Sequence, residues 1–129
     1  MQKITLPVAL SALLVLAGCG NAPTTASRPD QFSIVSEGRY DVTRQSLMVD
    51  CVFDGFLSVQ EQAMATHVRQ VKRADGWRID VIAGAFQYLV VDMRDDGTFK
   101  LIRNKAAVLV PLSKDEAAAT ACLNKFPAK

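Results

Sequence analysis

Histidine is almost absent from this chain, since His67 is the only one among its 129 residues. A metal site built on several histidines and a two-histidine proton relay are therefore excluded within one chain. The sequence also lacks a G-x-S-x-G elbow and a glycine-rich phosphate loop, and its isolated glycines Gly76, Gly84 and Gly97 predict turns. We therefore predict no catalytic residue, no metal site and no cofactor.

Candidate acid–base groups are few and scattered. His67 is interpreted as a partly buried or surface side chain rather than as a base. Glycosidase chemistry needs two carboxylates that flank one cleft, and the sequence does not bring any two of its acidic residues together. The residues considered for such a pair are Glu37, Asp41, Asp50, Asp54 and Glu61.

A strong excess of one charge is also missing, because 15 Lys and Arg against 13 Asp and Glu give a formal net charge of +2. Nucleic-acid-binding domains carry a strongly basic surface or a clustered basic stripe, so we predict no nucleic-acid partner. The densest basic group is Arg69, Lys72 and Arg73. It is interleaved with uncharged residues and followed by Asp75, which favours a solvated surface.

The sequence does contain a short apolar N-terminal segment. Lys3 precedes an apolar run from Ile4 to Leu16, which is shorter than the ~20 residues of a membrane-spanning helix and typical of a signal-peptide core. The run ends in the string Leu-Ala-Gly-Cys at positions 16–19, which resembles the lipobox of bacterial lipoproteins. The resemblance implies cleavage before Cys19, a diacylglycerol thioether on its sulfur and acylation of its new amino group.

Three segments follow from this resemblance and from composition. Residues 1–18 are a lipoprotein signal peptide, and residues 19–31 are the lipidated Cys19 and a flexible tether of small, polar and proline residues. Residues 32–129 form a single globular domain. Gly20 stands where inner-membrane lipoproteins of enteric-type bacteria have Asp, which implies the outer membrane, facing the periplasm, rather than the inner membrane.

The remaining cysteines, Cys51 and Cys122, form an even pair in an oxidising envelope. We therefore predict one disulfide between them. The alternative is two buried free thiols. A C-x-x-C redox motif is excluded, because the two cysteines are far apart in the sequence.

The clearest local structure is a hairpin over residues 86–103. Runs rich in Val, Leu, Phe and Tyr flank a turn signal at positions 95–97. A three-residue loop with Gly97 in the left-handed conformation places the apolar side chains on one face. The predicted cross-strand pairs are Met93 with Phe99, Val91 with Leu101, and Asp92 with Lys100 as an ion pair.

Shorter patterns predict further strands. Residues 77–82 alternate, with Ile79 and Val81 on a buried side and Asp80 on the exposed side. Residues 106–110, ended by Pro111, are predicted to be a last strand. Residues 46–53, which carry Cys51, are predicted to be an additional strand.

Two helices are predicted. Residues 113–126 open with a capping-box pattern at Ser113 and continue in an alanine-rich run that places Ala118, Cys122 and Phe126 on one stripe. Residues 58–73 open with a similar pattern at Ser58. The alternative for this second segment is a strand over residues 67–73, but we favour the helix because strict alternation fails there.

Together these patterns predict an α+β domain, a small antiparallel meander of about five strands packed by a C-terminal helix and one further helix. The predicted function is that of a noncatalytic envelope lipoprotein, an accessory or binding module held on the membrane by acylated Cys19 and contacting another envelope protein. The alternative is an inhibitor or immunity protein against an envelope-targeting hydrolase or toxin, with a protruding loop around residues 54–58 or 95–98.

Overall fold

Five antiparallel strands and two helices form the fold, as described by a computed structural model for residues 22–59 and 66–129. The elements run in the order β1 (Phe32–Arg39), α1 (Gln45–Val59), β2 (His67–Arg73), β3 (Gly76–Ala83), β4 (Phe86–Arg94), β5 (Thr98–Asn104) and α2 (Ser113–Lys125). The sheet order is β1-β5-β4-β3-β2. Strands β2 to β5 form a meander and β1 pairs with β5, so the predicted α+β class is confirmed.

The β4–β5 hairpin has the predicted register. Met93 pairs with Phe99, Val91 with Leu101 and Asp92 with Lys100. Gly97 has a φ of +82°, the left-handed conformation that the three-residue loop requires. The predicted ion pair differs, because the cation within 4 Å of the Asp92 carboxylate among the described residues is Arg73, on β2, at 3.7 Å.

The hydrophobic core lies between the two helices and one face of the sheet. Apolar side chains from alternate positions of β3, β4 and β5 meet the inner sides of α1 and α2, because successive side chains of a strand point to opposite faces. Those that are completely buried on the sheet side are Ile79, Leu89, Val91, Met93, Phe99 and Leu101. On β3 the predicted burial of Ile79 and Val81 is confirmed.

The predicted strand over residues 46–53 is wrong, because this segment belongs to helix α1. Its buried residues are Met48, Val49, Val52 and Phe56, which recur at the spacing of one helix face rather than alternating. A short apolar run is ambiguous between a buried strand and a helix. The run continues past Asp54 and Gly55 to Val59, and this length is typical of a helix.

The helix predicted over residues 58–73 is wrong over residues 67–73, where the alternative, a strand, is confirmed. Positions 58 and 59 end α1, positions 60–65 lie outside the described residues, and His67–Arg73 is strand β2. Each residue of β2 pairs with β3, from His67 with Ile82 to Arg73 with Gly76. The sheet therefore supplies the hydrogen bonds that favour a strand despite the imperfect alternation.

The predicted strand over residues 106–110 is a loop between β5 and α2. The amide of Val110 donates to the carbonyl of Ala107 at 3.2 Å, which closes a turn. The fifth strand is instead β1, which the sequence patterns did not indicate. Within the loop, Leu112 precedes α2 and no side chain caps this helix, so the capping box predicted at Ser113 does not form.

Helix α2 otherwise agrees with the prediction. It spans Ser113–Lys125, and its buried residues include Cys122, which faces inward as expected. Phe126 directly follows and is also buried, whereas Ala118 is only partly buried.

A disulfide between Cys51 and Cys122 joins α1 to α2, with their Cα atoms 5.8 Å apart. One helical turn further along α1, a Cβ placed on Gly55 would lie 3.2 Å from the Cβ of Ala118. The two contacts run in opposite directions along the helices, so α1 and α2 are antiparallel and closely packed. Neither helix has the length and hydropathy that a membrane crossing requires among the residues described.

We expect the disulfide to supply a large part of the stability of the domain. It closes a sequence separation of 71 residues, and a loop of this size corresponds to about 4 kcal/mol in the chain-entropy model. The double variant Cys51→Ala and Cys122→Ala should therefore lose about 4 kcal/mol in the free energy of unfolding, measured by urea denaturation. Equal unfolding midpoints for the wild type with and without reductant would contradict this expectation.

Candidate functional site

The most unusual side chain of the described residues is Asp80, a carboxylate with no exposed surface. It lies between Ile79 and Val81 on β3, so strand alternation directs it to the sheet face opposite the helices. We call this side of the sheet the charged face and define it by Arg69, Arg78, Asp80 and Asp92. A buried carboxylate is costly unless it is paired and hydrogen-bonded.

Three side chains supply those partners for Asp80. Arg69 donates to the Oδ2 atom of Asp80 through Nε at 3.2 Å and through Nη2. The side-chain amide of Gln87 donates to the same oxygen at 3.2 Å. The Nε atom of Arg78 lies 3.0 Å from Oδ1. That contact is an ion pair without hydrogen-bond alignment, since neither atom has a hydrogen-bond partner.

A second carboxylate, Asp92, lies on the neighbouring strand of the charged face. It pairs in register with Arg78, and its side chain keeps 14% of its surface exposed. Burial raises the pKa of Asp92 above its usual value, while the nearby cations, Arg73 first, act to lower the pKa. The charged face therefore holds two carboxylates among arginines, one completely enclosed and one partly open to solvent.

Within this arrangement Asp80 is not placed to exchange a proton with a bound molecule. A catalytic carboxyl must reach the proton that it transfers, and Asp80 has no accessible surface and is surrounded by Arg69, Arg78 and Gln87. No group of three or more metal-ligating side chains occurs among residues 22–59 and 66–129. The ion pairs of Arg69 with Asp80 and of Arg73 with Asp92 join β2 to β3 and to β4 by charge.

The acidic residues considered from the sequence are not brought into one cleft. Asp50 and Asp54 are exposed on α1, on the helical side of the sheet, whereas Glu37 is exposed on strand β1. Asp41 accepts hydrogen bonds from the amide and hydroxyl of Thr43, and the hydroxyl bond is the main reason that the pKa of Asp41 is lowered. Glu61 lies outside the described residues.

His67 lies exposed at the start of β2, an edge strand. One shallow depression on the described surface contains neither this histidine nor two carboxylates, and it is lined by Glu37, Gly38, Arg39, Thr98, Phe99 and Lys100. This depression is therefore not the cleft around His67, or around two carboxylates, that we would expect of an enzyme.

The two loops considered for an inhibitor are a helical segment and a tight turn. Residues 54–58 form the last turns of helix α1. Residues 95–98 form a tight turn, in which Asp95 accepts from the Gln45 amide at 2.9 Å and Asp96 accepts from the Thr98 amide at 2.8 Å. Asp96 thus serves the turn itself, whereas Asp95 joins the turn to the side chain of Gln45 on α1.

Exposed apolar side chains occur on strand β1, at one edge of the sheet. Ile34 is 54% exposed and Val35 is 41% exposed, and the pairing with β5 shifts register between Ile34 and Ser36. Ile34 pairs with Ile102, which is partly buried. We call Ile34, Val35 and Ile102 the β1 edge patch. The opposite edge, β2, instead carries Arg69, Lys72 and Arg73, the charged type that discourages edge pairing.

No protein-family model matches the chain, and no curated protein or solved structure matches it either.

The sequence did not predict the ion pairs around Asp80, because the alternation in β3 indicated side chains that are buried on one side of the strand and solvated on the other. The signal was present in the turn at Ala74 and Asp75. A hairpin closed there puts Arg69 opposite Asp80, which pairs opposite charges across two strands. Choosing the helix for residues 58–73 hid this pairing.

We expect Asp80→Asn to destabilise the domain by about 3–5 kcal/mol, because it leaves Arg78 in the sheet face without its charge partner. The matched control is Asp75→Asn, since Asp75 also forms an ion pair but is 53% exposed, and it should cost less than about 1 kcal/mol. Chemical denaturation of both variants measures the difference. Equal losses for the two variants would show that Asp80 does not have the proposed structural role.

Proposed function

We propose that this chain is a noncatalytic lipoprotein of a bacterial envelope. In this proposal an acylated Cys19 anchors it to the outer membrane, facing the periplasm, and its oxidised domain is a binding module for another envelope protein. The observation that carries the proposal is the use of the cysteines. Cys51 and Cys122 bond to each other, so neither pairs with Cys19, the one cysteine at the lipobox.

The disulfide supports the compartment as well as the anchor. Disulfides persist in the periplasm and other oxidising environments and are rare in reducing cytosol. Cys51 and Cys122 are held in the packed interface of two helices, where a bond stabilises the fold rather than takes part in exchange. A structural disulfide of this kind fits a domain that is exported before it folds.

The absence of catalytic geometry in the described residues supports a binding role. Asp80, on β3, is enclosed by the side chains that bond to it. His67, on the edge strand β2, is exposed to solvent rather than placed in a cleft. A binding module is instead expected to show an apolar patch on its sheet.

The β1 edge patch is the surface that best fits a protein partner. Its edge strand is eight residues long, and among the described residues no strand pairs with its outer side. Unpaired strand edges with apolar side chains are templates for pairing with another chain. An extended segment of an envelope protein could add to β1 and cover Ile34 and Val35.

The inhibitor or immunity alternative has less support. Its two candidate loops are a helical turn and a tight hairpin turn. An envelope hydrolase or toxin bound at the β1 edge would still favour it, and the identity of the bound protein separates the two functions.

The anchor is tested by expressing the full chain in an enteric-type bacterium and measuring the intact mass and the membrane fraction. We expect a membrane-bound product that begins at Cys19 and carries the mass of its acyl chains. The variant Cys19→Ser should lose both the acyl mass and the membrane association. The control Gly20→Asp should keep the lipid and move the protein to the inner membrane. A wild-type product that retains residues 1–18, or that has an unmodified Cys19 thiol, would overturn the proposal.

The partner is tested by placing a photo-cross-linking amino acid at Ile34 in the native cell. We expect one discrete adduct, and Val35→Lys should lower its yield about tenfold, since burying one apolar side chain corresponds to about 1.5 kcal/mol. The control position is Val42, which is similarly apolar and 41% exposed but lies just before α1. Equal yields from Ile34 and Val42 would contradict a specific site at the β1 edge.

A further inference from the structure

The loop between β5 and α2 presents two apolar side chains at its tip. Val108 is 74% exposed and Leu109 is 94% exposed. They occupy the two central positions of the turn closed by Ala107 and Val110. Such positions usually hold Gly, Pro, Asn, Asp or Ser, so a Val-Leu pair there puts apolar surface in water without a structural need. We call residues 107–110 the apolar tip.

The apolar tip is held in place by the strand before it. The guanidinium of Arg103 donates through Nη2 to the carbonyls of Ala107 at 3.1 Å and Val110 at 3.3 Å. Its Nη1 atom also donates to Glu116 on α2 at 2.8 Å. The two exposed side chains therefore project from a fixed turn rather than from a slack loop.

The first described residues lie at the same end of the domain. The amide of Thr25 donates to the Gln87 side chain at 3.3 Å, at the start of β4. Lys105, which follows β5, donates from its amide to the carbonyl of Gln31 at 2.9 Å and from Nζ to the carbonyl of Asp30 at 2.8 Å. The domain boundary predicted at residue 31 thus lies inside a segment that is bonded to the sheet.

Covalent geometry then limits the distance from the domain to the anchor. Thr25, which bonds to Gln87, follows Cys19 by six positions. The Cα atoms of Cys19 and Thr25 therefore lie at most about 22 Å apart. If Cys19 carries the lipid, this end of the domain is held close to the membrane surface.

Charge and apolar area at this end both suit a phospholipid surface. Phe86, beside the β3–β4 turn, is 51% exposed. Lys105 and Lys114 flank the apolar tip, and neither lies within 4 Å of a carboxylate among the described residues. Apolar side chains that enter the headgroup–acyl boundary, with lysines at the phosphates, are typical of interfacial binding.

We propose that the apolar tip inserts Val108 and Leu109 into the headgroup–acyl boundary of the bilayer that holds Cys19, so that the apolar end of the domain faces the lipid. This orientation leaves the opposite end, with the β4–β5 turn and the start of α1, directed away from the membrane. The inference rests on the proposed anchor at Cys19.

The test uses the full chain, processed in cells and reconstituted in vesicles of phosphatidylethanolamine and phosphatidylglycerol. The variant Leu109→Cys is labelled with a polarity-sensitive fluorophore, because the bonded Cys51 and Cys122 and a thioether-linked Cys19 do not react. The control is Leu47→Cys, since Leu47 is apolar and 48% exposed but lies near the start of α1. We expect a shift to shorter wavelength, and quenching by spin-labelled lipid, only at position 109.

The outcomes separate the insertion from the anchor. Vesicle flotation and intact mass report lipidation, and the fluorophore reports the environment of position 109. A water-like signal at position 109 in floated, lipidated protein overturns the insertion and leaves the anchor standing. Wild-type protein without lipid overturns the anchor, and a shift at position 109 in the Cys19→Ser background still supports the insertion. A shift that appears in native membranes but not in these protein-free vesicles overturns the lipid as the occupant and supports a protein partner.

Discussion

The Cys51–Cys122 disulfide is the constraint on which the rest of the domain depends. Between its two cysteines lie all four strands of the β2–β5 meander, so the bond encloses most of the sheet in one covalent loop. It also fixes the helix pair that covers the sheet. With Gly55 against Ala118 one turn away, the cross-link permits the close antiparallel packing that buries the helix faces and the apolar side of β3, β4 and β5.

The two faces of the sheet are stabilised by different forces. The helical side is held by apolar burial, with Ile79, Val91 and Leu101 completely enclosed. The charged face is held by the arginines around Asp80, one of which comes from the edge strand β2. Ion pairing of this kind is expensive to break but contributes little net stability. The ion pair instead favours one strand register, because only one register of β2 on β3 brings Arg69 to Asp80.

Elements whose signals are local were predictable from the sequence, and elements decided by distant contacts were not. The β4–β5 register follows from one turn and the positions around Gly97, and helix α2 follows from its alanine-rich run. Strand β2 required its pairing with β3, and β1 required β5, which is far away in the sequence. The disulfide was predicted because the lipobox assignment of Cys19 left two cysteines, whereas the exposed turn at Val108 and Leu109 looked like a strand because its composition is apolar.

The place of β1 in the sheet determines the order in which the sheet can close. Strands β2 to β5 join neighbours through short turns, so they can pair as soon as they are made. Strand β1 precedes all of them and joins only the last one, from Phe32 with Asn104 to Arg39 with Thr98. It must therefore wait for nearly the whole chain before it finds a hydrogen-bonding partner, and such long-range pairing is the slow part of assembly. Until β1 pairs with it, β5 is an unpaired edge of the sheet. In the finished domain β5 is covered and β1 is the edge strand.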